Sequence, residues 1–362
     1  MKKRLLSLLL AGIIVFTNAQ VFASEVNTEQ PVVEEEVTED TEEKEEVTET
    51  EEETTEEKTE ENEEKPVKYN VMRIAGANRY ETAMKASEAI MSAEIAVLAS
   101  GQNFADALFG GPLAAQVSGP ILLTAKDELP KGMENTLKEL GTKMIYLLGG
   151  TSSVSEKVED ELKEMGYTVT RIAGKDRVET ASLISNTTAN LRGVKVLGDL
   201  PSIVVSGTSF ADALSAAPYA DLLFTTSGYA RFIPYNDYMK DNDTVIGGTS
   251  SVPKGIEKER IAGKDRYETA IKVAEAQKAL LKEKKNYDLK TVIVVDGTNY
   301  PDALAAGPVA SSKNAAILLT SPNKLDEGVA KFIKDNEIEN VYIFGGASSV
   351  SEEVEKEIEE LR

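Results

Sequence analysis

An eleven-residue motif occurs three times in this chain and constrains the fold more than any other feature. It reads RIAGANRYETA at 73–83, RIAGKDRVETA at 171–181 and RIAGKDRYETA at 260–270. The copies are 98 and then 89 residues apart, which is longer than the roughly 20–50 residues of solenoid repeats. We therefore expect three small domains, each with its own core.

Each copy is followed by the same landmarks in the same order: an aromatic-x-Asp-Ala-Leu motif, a proline, an apolar run and a Gly-Gly turn. The Asp-bearing motif lies at 104–108, 210–214 and 300–304, and the proline is Pro112, Pro218 or Pro308. The apolar run lies at 120–124, 221–225 and 316–320. The segment with the Gly-Gly turn lies at 147–156, 245–254 and 343–352.

Short apolar runs alternate with helical patterns within each repeat. The strand candidates of the first repeat are Asn70–Ile74, Ile95–Ala99, Pro120–Thr124 and Met144–Leu148, and their apolar character on both faces is typical of buried parallel strands. This alternation predicts an α/β fold of three tandem modules, each a small doubly wound parallel sheet.

The helical segments carry two further predictions. Ser153 with Glu156, and Ser349 with Glu352, have the spacing of a capping box at a helix start. One helical face of the second and third repeats is predicted to be buried. Its residues are Ala181, Ile184, Thr188 and Leu191 in the second repeat, and Ala270, Val273, Ala274 and Leu281 in the third.

The N-terminal region differs in composition from the repeats. Residues 1–23 have the positive start, short apolar run and small-residue cleavage site of a secretory signal peptide, so we expect export and no membrane span after cleavage. Residues 24–67 are predicted to be a disordered acidic linker. Of the net charge of −22, residues 24–64 contribute −19 and the signal peptide +3, which leaves only −6 for residues 65–362.

Cysteine and histidine are both absent from the sequence. This excludes disulfides, zinc sites with thiolate or imidazole ligands, and Ser-His-Asp or Cys-His catalysis. An enzyme would be left with carboxylate or Ser-Lys chemistry, or with an oxygen-ligated metal. We expect no cofactor and no metal. Because no lipid-attachment cysteine or covalent sorting signal is evident, retention at the cell surface, if it occurs, has to be non-covalent.

The repeated motifs follow predicted strands, so they should gather at the carboxyl edge of each sheet, where open parallel sheets bind ligands. The glycines Gly76, Gly149 and Gly150 are interpreted as turn formers. The repeated aspartates either cap a helix or face a ligand, and we count them among the predicted binding residues. They are Asp106, Asp212 and Asp302.

Six of the nine arginines in residues 65–362 lie in the eleven-residue motif. An arginine fork suits a carboxylate or a phosphate. The same fork could bind an external anion, or it could form an internal ion pair. The candidate partners for an ion pair are the repeated aspartate and the glutamates Glu81, Glu179 and Glu268. We predict that Arg79, Arg177 and Arg266 face the ligand, together with the neighbouring Asn78, Asp176 and Asp265. The structural role is assigned to Arg73, Arg171 and Arg260, although they also remain candidates for binding.

From about residue 68 to the C-terminus, these motifs resemble the type-2 cell-wall-binding repeat family of Gram-positive surface proteins. The resemblance implies three modules packed as a pseudo-threefold trimer that binds an anionic secondary polymer of the wall. The predicted modules are 68–165, 166–254 and 255–362. The middle one is shortened, with Val178 in place of Tyr80 and Tyr267 and a helix cut back around Pro253. Its own site is therefore expected to be weakened.

The leading hypothesis is a secreted, non-catalytic protein that anchors itself to the cell wall by multivalent binding of an anionic polymer. No nucleic acid partner is expected. Two alternatives remain open at this point. One is an enzyme that acts on wall glycan through the rim carboxylates. The other is a structural surface-layer protein or a regulatory partner of a wall hydrolase.

Overall fold

The computed structural model describes residues 69–194, 200–229, 231–236 and 239–361. The predicted signal peptide and acidic linker lie outside the described residues.

Within the described residues, twelve strands form three four-stranded sheets in which all neighbouring strands are parallel. The first sheet has the order β3-β2-β4-β5, the second β7-β6-β8-β9 and the third β11-β10-β12-β1. The strands are β1 (Asn70–Ile74), β2 (Ile95–Ser100), β3 (Ile121–Thr124), β4 (Met144–Leu148), β5 (Thr168–Ile172), β6 (Ser202–Val205), β7 (Arg231–Pro234), β8 (Thr244–Ile246), β9 (Glu259–Ile261), β10 (Thr291–Asp296), β11 (Ala316–Thr320) and β12 (Asn340–Phe344).

Each sheet is completed by a strand from another repeat. Strand β5 of the second repeat pairs with β4 of the first, and β9 of the third repeat pairs with β8 of the second. Strand β1 closes the ring by pairing with β12, where Asn70 lies opposite Asn340. The prediction that 70–74 belongs with the other strand candidates of the first repeat is therefore wrong. An apolar parallel strand fits the same edge of all three sheets, so its sequence does not reveal which sheet it joins.

Helices follow most of the strands, and those after β1, β5 and β9 each begin at the second arginine of the repeated motif. Their bounds are α1 (Arg79–Glu88), α2 (Phe104–Gln116), α3 (Met133–Leu140), α4 (Glu156–Glu164), α5 (Arg177–Leu191), α6 (Phe210–Thr226), α7 (Arg266–Lys285), α8 (Ala306–Ser312), α9 (Glu327–Asp335) and α10 (Glu352–Glu359), with a 3₁₀ turn at Ala303–Ala305 before α8.

Three central helices, α2, α6 and α8, meet around a pseudo-threefold axis. Small residues permit the approach, because a Cβ atom added at Gly111 would lie only 3.3 Å from the Cβ atom of Ala217. One added at Gly307 would lie 3.6 Å from the Cα atom of Gly111 and 3.7 Å from the Cβ atom of Ala217. This arrangement confirms the predicted α/β fold of three tandem modules packed around a threefold axis.

The cores are partly shared between repeats. The largest apolar cluster joins side chains of all three sheets, including Val97, Ile203 and Ile293. Smaller clusters lie on the outer side of each sheet. The expectation that each repeat has its own core therefore describes only the outer layers.

The second repeat departs from the predicted pattern at two places. Residues 221–225 align with the apolar strands of the other repeats, yet they lie in helix α6, and the strand is Arg231–Pro234. No helix follows the Gly-Gly turn, since the described residues 249–258 form turns and irregular structure. The predicted shortened helix is absent because the chain reaches β9 within a few residues and Pro253 interrupts it.

The buried helical faces are as predicted, with one exception. Ala270, Val273, Ala274 and Leu281 are at most 1% exposed, and Ala181, Ile184 and Thr188 are equally buried. Leu191 is 47% exposed. It is the last residue of α5.

Candidate functional site

The repeated motifs converge at the carboxyl ends of the strands, and each site draws on two repeats. In the first sheet, Asp106 follows β2, Ser153 follows β4 and Arg177 follows β5. We call this group the first cleft. The second cleft is formed by Asp212, Ser251 and Arg266, and the third by Asp302, Ser349 and Arg79.

The first arginine of each motif is engaged inside the fold. The Nε atom of Arg171 donates to Glu159 at 2.7 Å, and Nη1 donates to the carbonyl oxygens of Gly149 at 2.8 Å and Val154 at 2.9 Å. The same pattern recurs for the other two copies: Arg73 contacts Glu355, Gly345 and Val350, and Arg260 contacts Glu257, Gly247 and Val252. These arginines tie the first strand of one repeat to the Gly-Gly loop of another.

The glutamates of the motif do not form these ion pairs. Glu81 accepts a hydrogen bond from the backbone N–H of Ala77, as Glu179 does from Lys175 and Glu268 from Lys264. The internal partners of the first arginines are glutamates outside the motif, which sequence reasoning did not identify.

The second arginine of each motif lies at a junction between two sheets. Arg177 follows β5 of the first sheet and donates to the carbonyl oxygen of Gly207, after β6 of the second sheet, at 3.4 Å. Arg266 contacts Gly297 at 2.5 Å and Arg79 contacts Gly101 at 2.6 Å in the same way.

These second arginines retain donors for a ligand. Arg177 and Arg266 are exposed and Arg79 is half-buried. Within the described part of the chain, none has a carboxylate oxygen within 4.0 Å. Since a guanidinium has five N–H donors, each fork keeps most of its hydrogen-bonding capacity for an anion.

The repeated aspartates are fixed by serines of the Gly-Gly loop. Ser349 donates to Asp302 at 2.6 Å, and Ser153 and Ser251 bond to Asp106 and Asp212. The suggested helix-capping role of the two buried aspartates is wrong, because the N-caps of α2 and α6 are Asn103 and Ser209.

The predicted capping boxes at Ser153 and Ser349 are also wrong. Helices α4 and α10 do begin at Glu156 and Glu352, but their N-caps are Ser155 and Ser351. The serine three residues before each glutamate turns inward to the aspartate instead. The threefold recurrence of Gly-Gly-x-Ser-Ser was a signal that pointed to this second serine.

Burial raises the pKa of Asp106 above its ordinary value, against the opposing effects of Ser153 and Arg177. The pKa of Asp212 is raised for the same reason, against Ser251 and Arg266. Both carboxyl groups are only 6% exposed. They therefore sense the charge of the arginine in their own cleft.

The first glycine of each Gly-Gly turn is required at its position. Gly149 has φ of +96°, and a Cβ atom there would lie 2.4 Å from Oδ2 of Asp106. Gly247 has φ of +119° and would meet Asp212 at 2.6 Å. The interpretation as a turn former thus holds for Gly149, while Gly76 is required by the close approach of Glu81, whose Cβ atom would lie at 2.3 Å.

The neighbouring candidates Asn78, Asp176 and Asp265 are helix N-caps. Asn78 accepts from the N–H groups of Tyr80 and Glu81, and the carboxylates of Asp176 and Asp265 accept from Glu179 and Glu268. All three lie exposed on the rim beside the second arginine. Their capping bonds explain why a short polar residue recurs there.

The second cleft contains a cavity of about 240 Å³. It lies where the start of α6, the Gly-Gly loop and the start of α7 meet. Its lining consists of Ser209, Ala211, Asp212, Gly248, Ser250, Ser251, Gly263, Lys264, Asp265, Arg266 and Thr269. This lining combines hydroxyl groups and two cations with two carboxylates, so it offers donors to an anionic group and acceptors to the hydroxyl groups of a ligand.

The shortened second repeat lacks the tyrosine that follows the second arginine in the other two repeats. The rings of Tyr80 and Tyr267 lie against Gly101 and Gly297, where an added Cβ atom would be 2.6 Å from the ring. At Gly207 the equivalent neighbour is Pro234, at 2.9 Å. Val178 therefore affects the first cleft, which Arg177 completes, while the second cleft keeps its aspartate, serine and arginine.

Among the described residues, no group of three or more acidic side chains is placed to hold a metal ion. The helices of this part of the chain are all too short or too polar to cross a bilayer.

Three α/β repeats packed around a pseudo-threefold axis define a tandem-repeat protein. The chain belongs to the cell wall binding domain 2 family, whose model matches residues 73–159, 171–257 and 260–355. The predicted family resemblance is thereby confirmed.

Two relatives from Bacillus subtilis (strain 168) match most of the chain. It is 31% identical over 304 residues to N-acetylmuramoyl-L-alanine amidase LytC, covering 80% of this chain and 58% of the relative. It is 33% identical over 301 residues to the Amidase enhancer, covering 79% of this chain and 40% of the relative. The chain thus spans less than two thirds of the length of either relative.

Two solved structures from Clostridium difficile share the fold. Cwp8 has a TM-score of 0.67 at 26% identity, covering 81% of this chain and 52% of its own. Cwp6 has a TM-score of 0.64 at 26% identity, covering 78% and 46%. Together with the family match, these similarities support binding to the cell wall, a location at the wall or cell surface, and a non-catalytic role for the repeats.

Proposed function

We propose that this protein is secreted and anchors itself non-covalently to the cell wall by binding an anionic wall polymer at all three clefts. One observation carries the proposal: each cleft presents an arginine fork that has no carboxylate partner within the described residues and lies beside exposed hydroxyl groups. Arg79, Arg177 and Arg266 are the proposed anion ligands, because planar forks bind phosphate and carboxylate oxygens in pairs.

The aspartates take a positioning role in this proposal. Each aspartate is held by a serine, and the positive charges of Arg177 and Arg266 act on Asp106 and Asp212, respectively. They orient the Gly-Gly loop, whose outer serine is exposed to solvent at Ser152, Ser250 and Ser348. Asn78, Asp176 and Asp265 border the same rim and are proposed to contact hydroxyl groups of the polymer.

Repetition strengthens binding because the three clefts belong to one body. Once one cleft has bound a polymer, the other two clefts encounter further segments of that polymer at a high effective concentration. Avidity can then exceed the affinity of a single cleft by a factor of about 10² to 10⁴ without any new contact.

The experiment is sedimentation of the purified protein with isolated cell walls. We expect co-sedimentation, release by high salt because exposed charges are screened, and release by free polymer extracted from the walls. Walls from which the polymer has been stripped should bind far less protein. Equal sedimentation with stripped walls contradicts the proposal, and a falling turbidity of the walls would favour the glycan-hydrolysing alternative.

The relatives also support a partner class. One is an amidase and the other is an Amidase enhancer. We therefore propose a wall hydrolase as the protein partner, held near its substrate by the anchored chain.

Binding is expected to strengthen as the pH falls. The pKa values of Asp106 and Asp212 are already raised by burial, and an anion bound at Arg177 or Arg266 raises them further. Binding then takes up protons, so affinity for the polymer rises as the pH is lowered from about 7 toward the raised pKa values. Isothermal titration calorimetry at several pH values measures the effect.

The D106N/D212N variant is the control for this pH dependence. It keeps a hydrogen-bond acceptor for Ser153 and Ser251 but cannot take up a proton. Its affinity should vary less with pH than that of the wild type for the same polymer. Parallel pH profiles would show that the polymer, and not the aspartates, titrates.

A further inference from the structure

The aromatic residue that opens each Asp-bearing motif lies at the pseudo-threefold axis. The rings of Phe104, Phe210 and Tyr300, which we call the aromatic triad, contact one another, with centroids 5.1 Å apart for Phe104–Tyr300, 5.7 Å for Phe210–Tyr300 and 6.3 Å for Phe104–Phe210. All three rings are half-buried. Phe104 and Phe210 are the first residues of α2 and α6, and Tyr300 precedes the 3₁₀ turn before α8. All three follow the same strands as the repeated aspartates, so they lie on the same rim as the clefts.

Closure of the axis does not require aromatic rings. Two helical turns below Phe104, the contacts among Gly111, Ala217 and Gly307 already bring the three helices together. A leucine would cover the apolar helix ends equally well. The chain has no tryptophan and only nine phenylalanines and twelve tyrosines, yet it places an aromatic residue at this position in all three repeats.

The aromatic triad is continuous with the clefts. Each ring precedes the repeated aspartate by two residues. The guanidinium of Arg266 lies 5.7 Å from the ring centroid of Phe210, so the second cleft and the axis share a wall. The Tyr300 hydroxyl donates to the carbonyl oxygen of Gln102 at 3.3 Å.

Exposed amide side chains border the rings at Gln102, Asn103 and Asn299. A partly exposed apolar platform surrounded by amides and arginine forks matches a ligand that alternates apolar ring faces with hydroxyl and anionic groups. The apolar C–H groups of a sugar ring carry a weak positive charge, which complements the negative face of an aromatic ring.

We propose that the aromatic triad is a fourth subsite, on which one sugar ring of the wall polymer stacks while anionic groups of the same polymer chain occupy neighbouring clefts. This rests on the proposed function, and it makes the ligand an anionic glycan whose chain crosses the axis. A polyanion without sugar rings would use the clefts alone.

The test compares two probes: the polymer extracted from isolated walls, and inorganic polyphosphate, which has charge but no sugar ring. The F104L/Y300L variant, which leaves Phe210 in place beside Arg266, should bind extracted polymer on the order of tenfold more weakly than the wild type. Its affinity for polyphosphate should be unchanged. The R79Q/R177Q/R266Q variant should lose affinity for both probes.

The F104Y/Y300F variant keeps the three rings and should recover most of the affinity for the extracted polymer that the leucine variant loses. Thermal unfolding and circular dichroism show whether the leucine variant is folded, and if it is not, the single variants F104L and Y300L, each expected to lose about twofold or more, take its place. Wild-type protein that does not bind the extracted polymer contradicts the proposed function. Wild-type binding that the leucine variants share undiminished contradicts only the aromatic subsite.

Discussion

Replacement of the three cleft arginines, in the variant R79Q/R177Q/R266Q, is expected to abolish co-sedimentation with cell walls while leaving the fold intact. Each of these side chains makes one hydrogen bond to a loop carbonyl and no ion pair within the described residues. Loss of one anion ligand should weaken wall binding about tenfold. Loss of all three removes the avidity as well, so the affinity should fall by a factor of about 10² to 10⁴.

A matched charge control separates anion recognition from the general effect of removing three positive charges. Lys138, Lys143 and Lys331 are exposed and engaged in surface ion pairs away from the rim. Their replacement by glutamine changes the net charge by the same amount, and wall binding should fall less than about threefold. If the lysine variant loses as much as the arginine variant, the attraction is non-specific.

Arginine-to-lysine variants test the geometry of the contact. In R79K/R177K/R266K the charge remains, but the fork that makes paired hydrogen bonds is lost. We expect intermediate binding with a stronger salt dependence. If R79K/R177K/R266K binds walls like the wild type, the clefts attract the polymer only through their positive charge.

Much of this architecture could be predicted because local patterns determine it. Strands Asn70–Ile74 and Met144–Leu148 have the predicted bounds, and the buried faces of α5 and α7 follow from helical periodicity. The placement of the motifs at the carboxyl edges follows from their position after parallel strands.

The rest depends on contacts between segments distant in sequence. Arg73 donates a hydrogen bond to Glu355, which lies 282 residues later in the sequence. The third cleft contains Arg79, which belongs to the first repeat. No local pattern encodes which sheet edge accepts a strand. The run at 221–225 shows a related effect: it is apolar enough for a strand, yet it continues helix α6, which packs against α2 and α7.

The second large effect is expected on stability, from the variant R171Q. Arg171 is 16% exposed and links Glu159 to the carbonyl oxygens of Gly149 and Val154. Glutamine is too short to reach these groups, which leaves two carbonyls without their donor and a half-buried carboxylate without one of its partners. The free energy of unfolding should fall by about 2–4 kcal/mol, measured by urea denaturation.

The acid side of the stability profile should change in the same variant. The pKa of Glu159 is lowered by its bond with Lys163 and then by Arg171. A carboxyl group with a lowered folded pKa stabilises the protein above its unfolded pKa, and this contribution is lost as the pH falls through the folded value. Without Arg171 the contribution is smaller, so stability should decline less steeply between about pH 5 and pH 3.

Arg177, six residues further along the same motif, provides the internal control. The variant R177Q should change the free energy of unfolding by less than about 0.5 kcal/mol, yet it should weaken wall binding. The main effect of R171Q should be a loss of stability. Its affinity for the wall should fall only to the extent that the Gly149–Ser153 loop moves and no longer holds Asp106 in place. A similar loss of stability in both variants would contradict the division of the two arginines into a structural and a binding residue, and with it the assignment of the clefts.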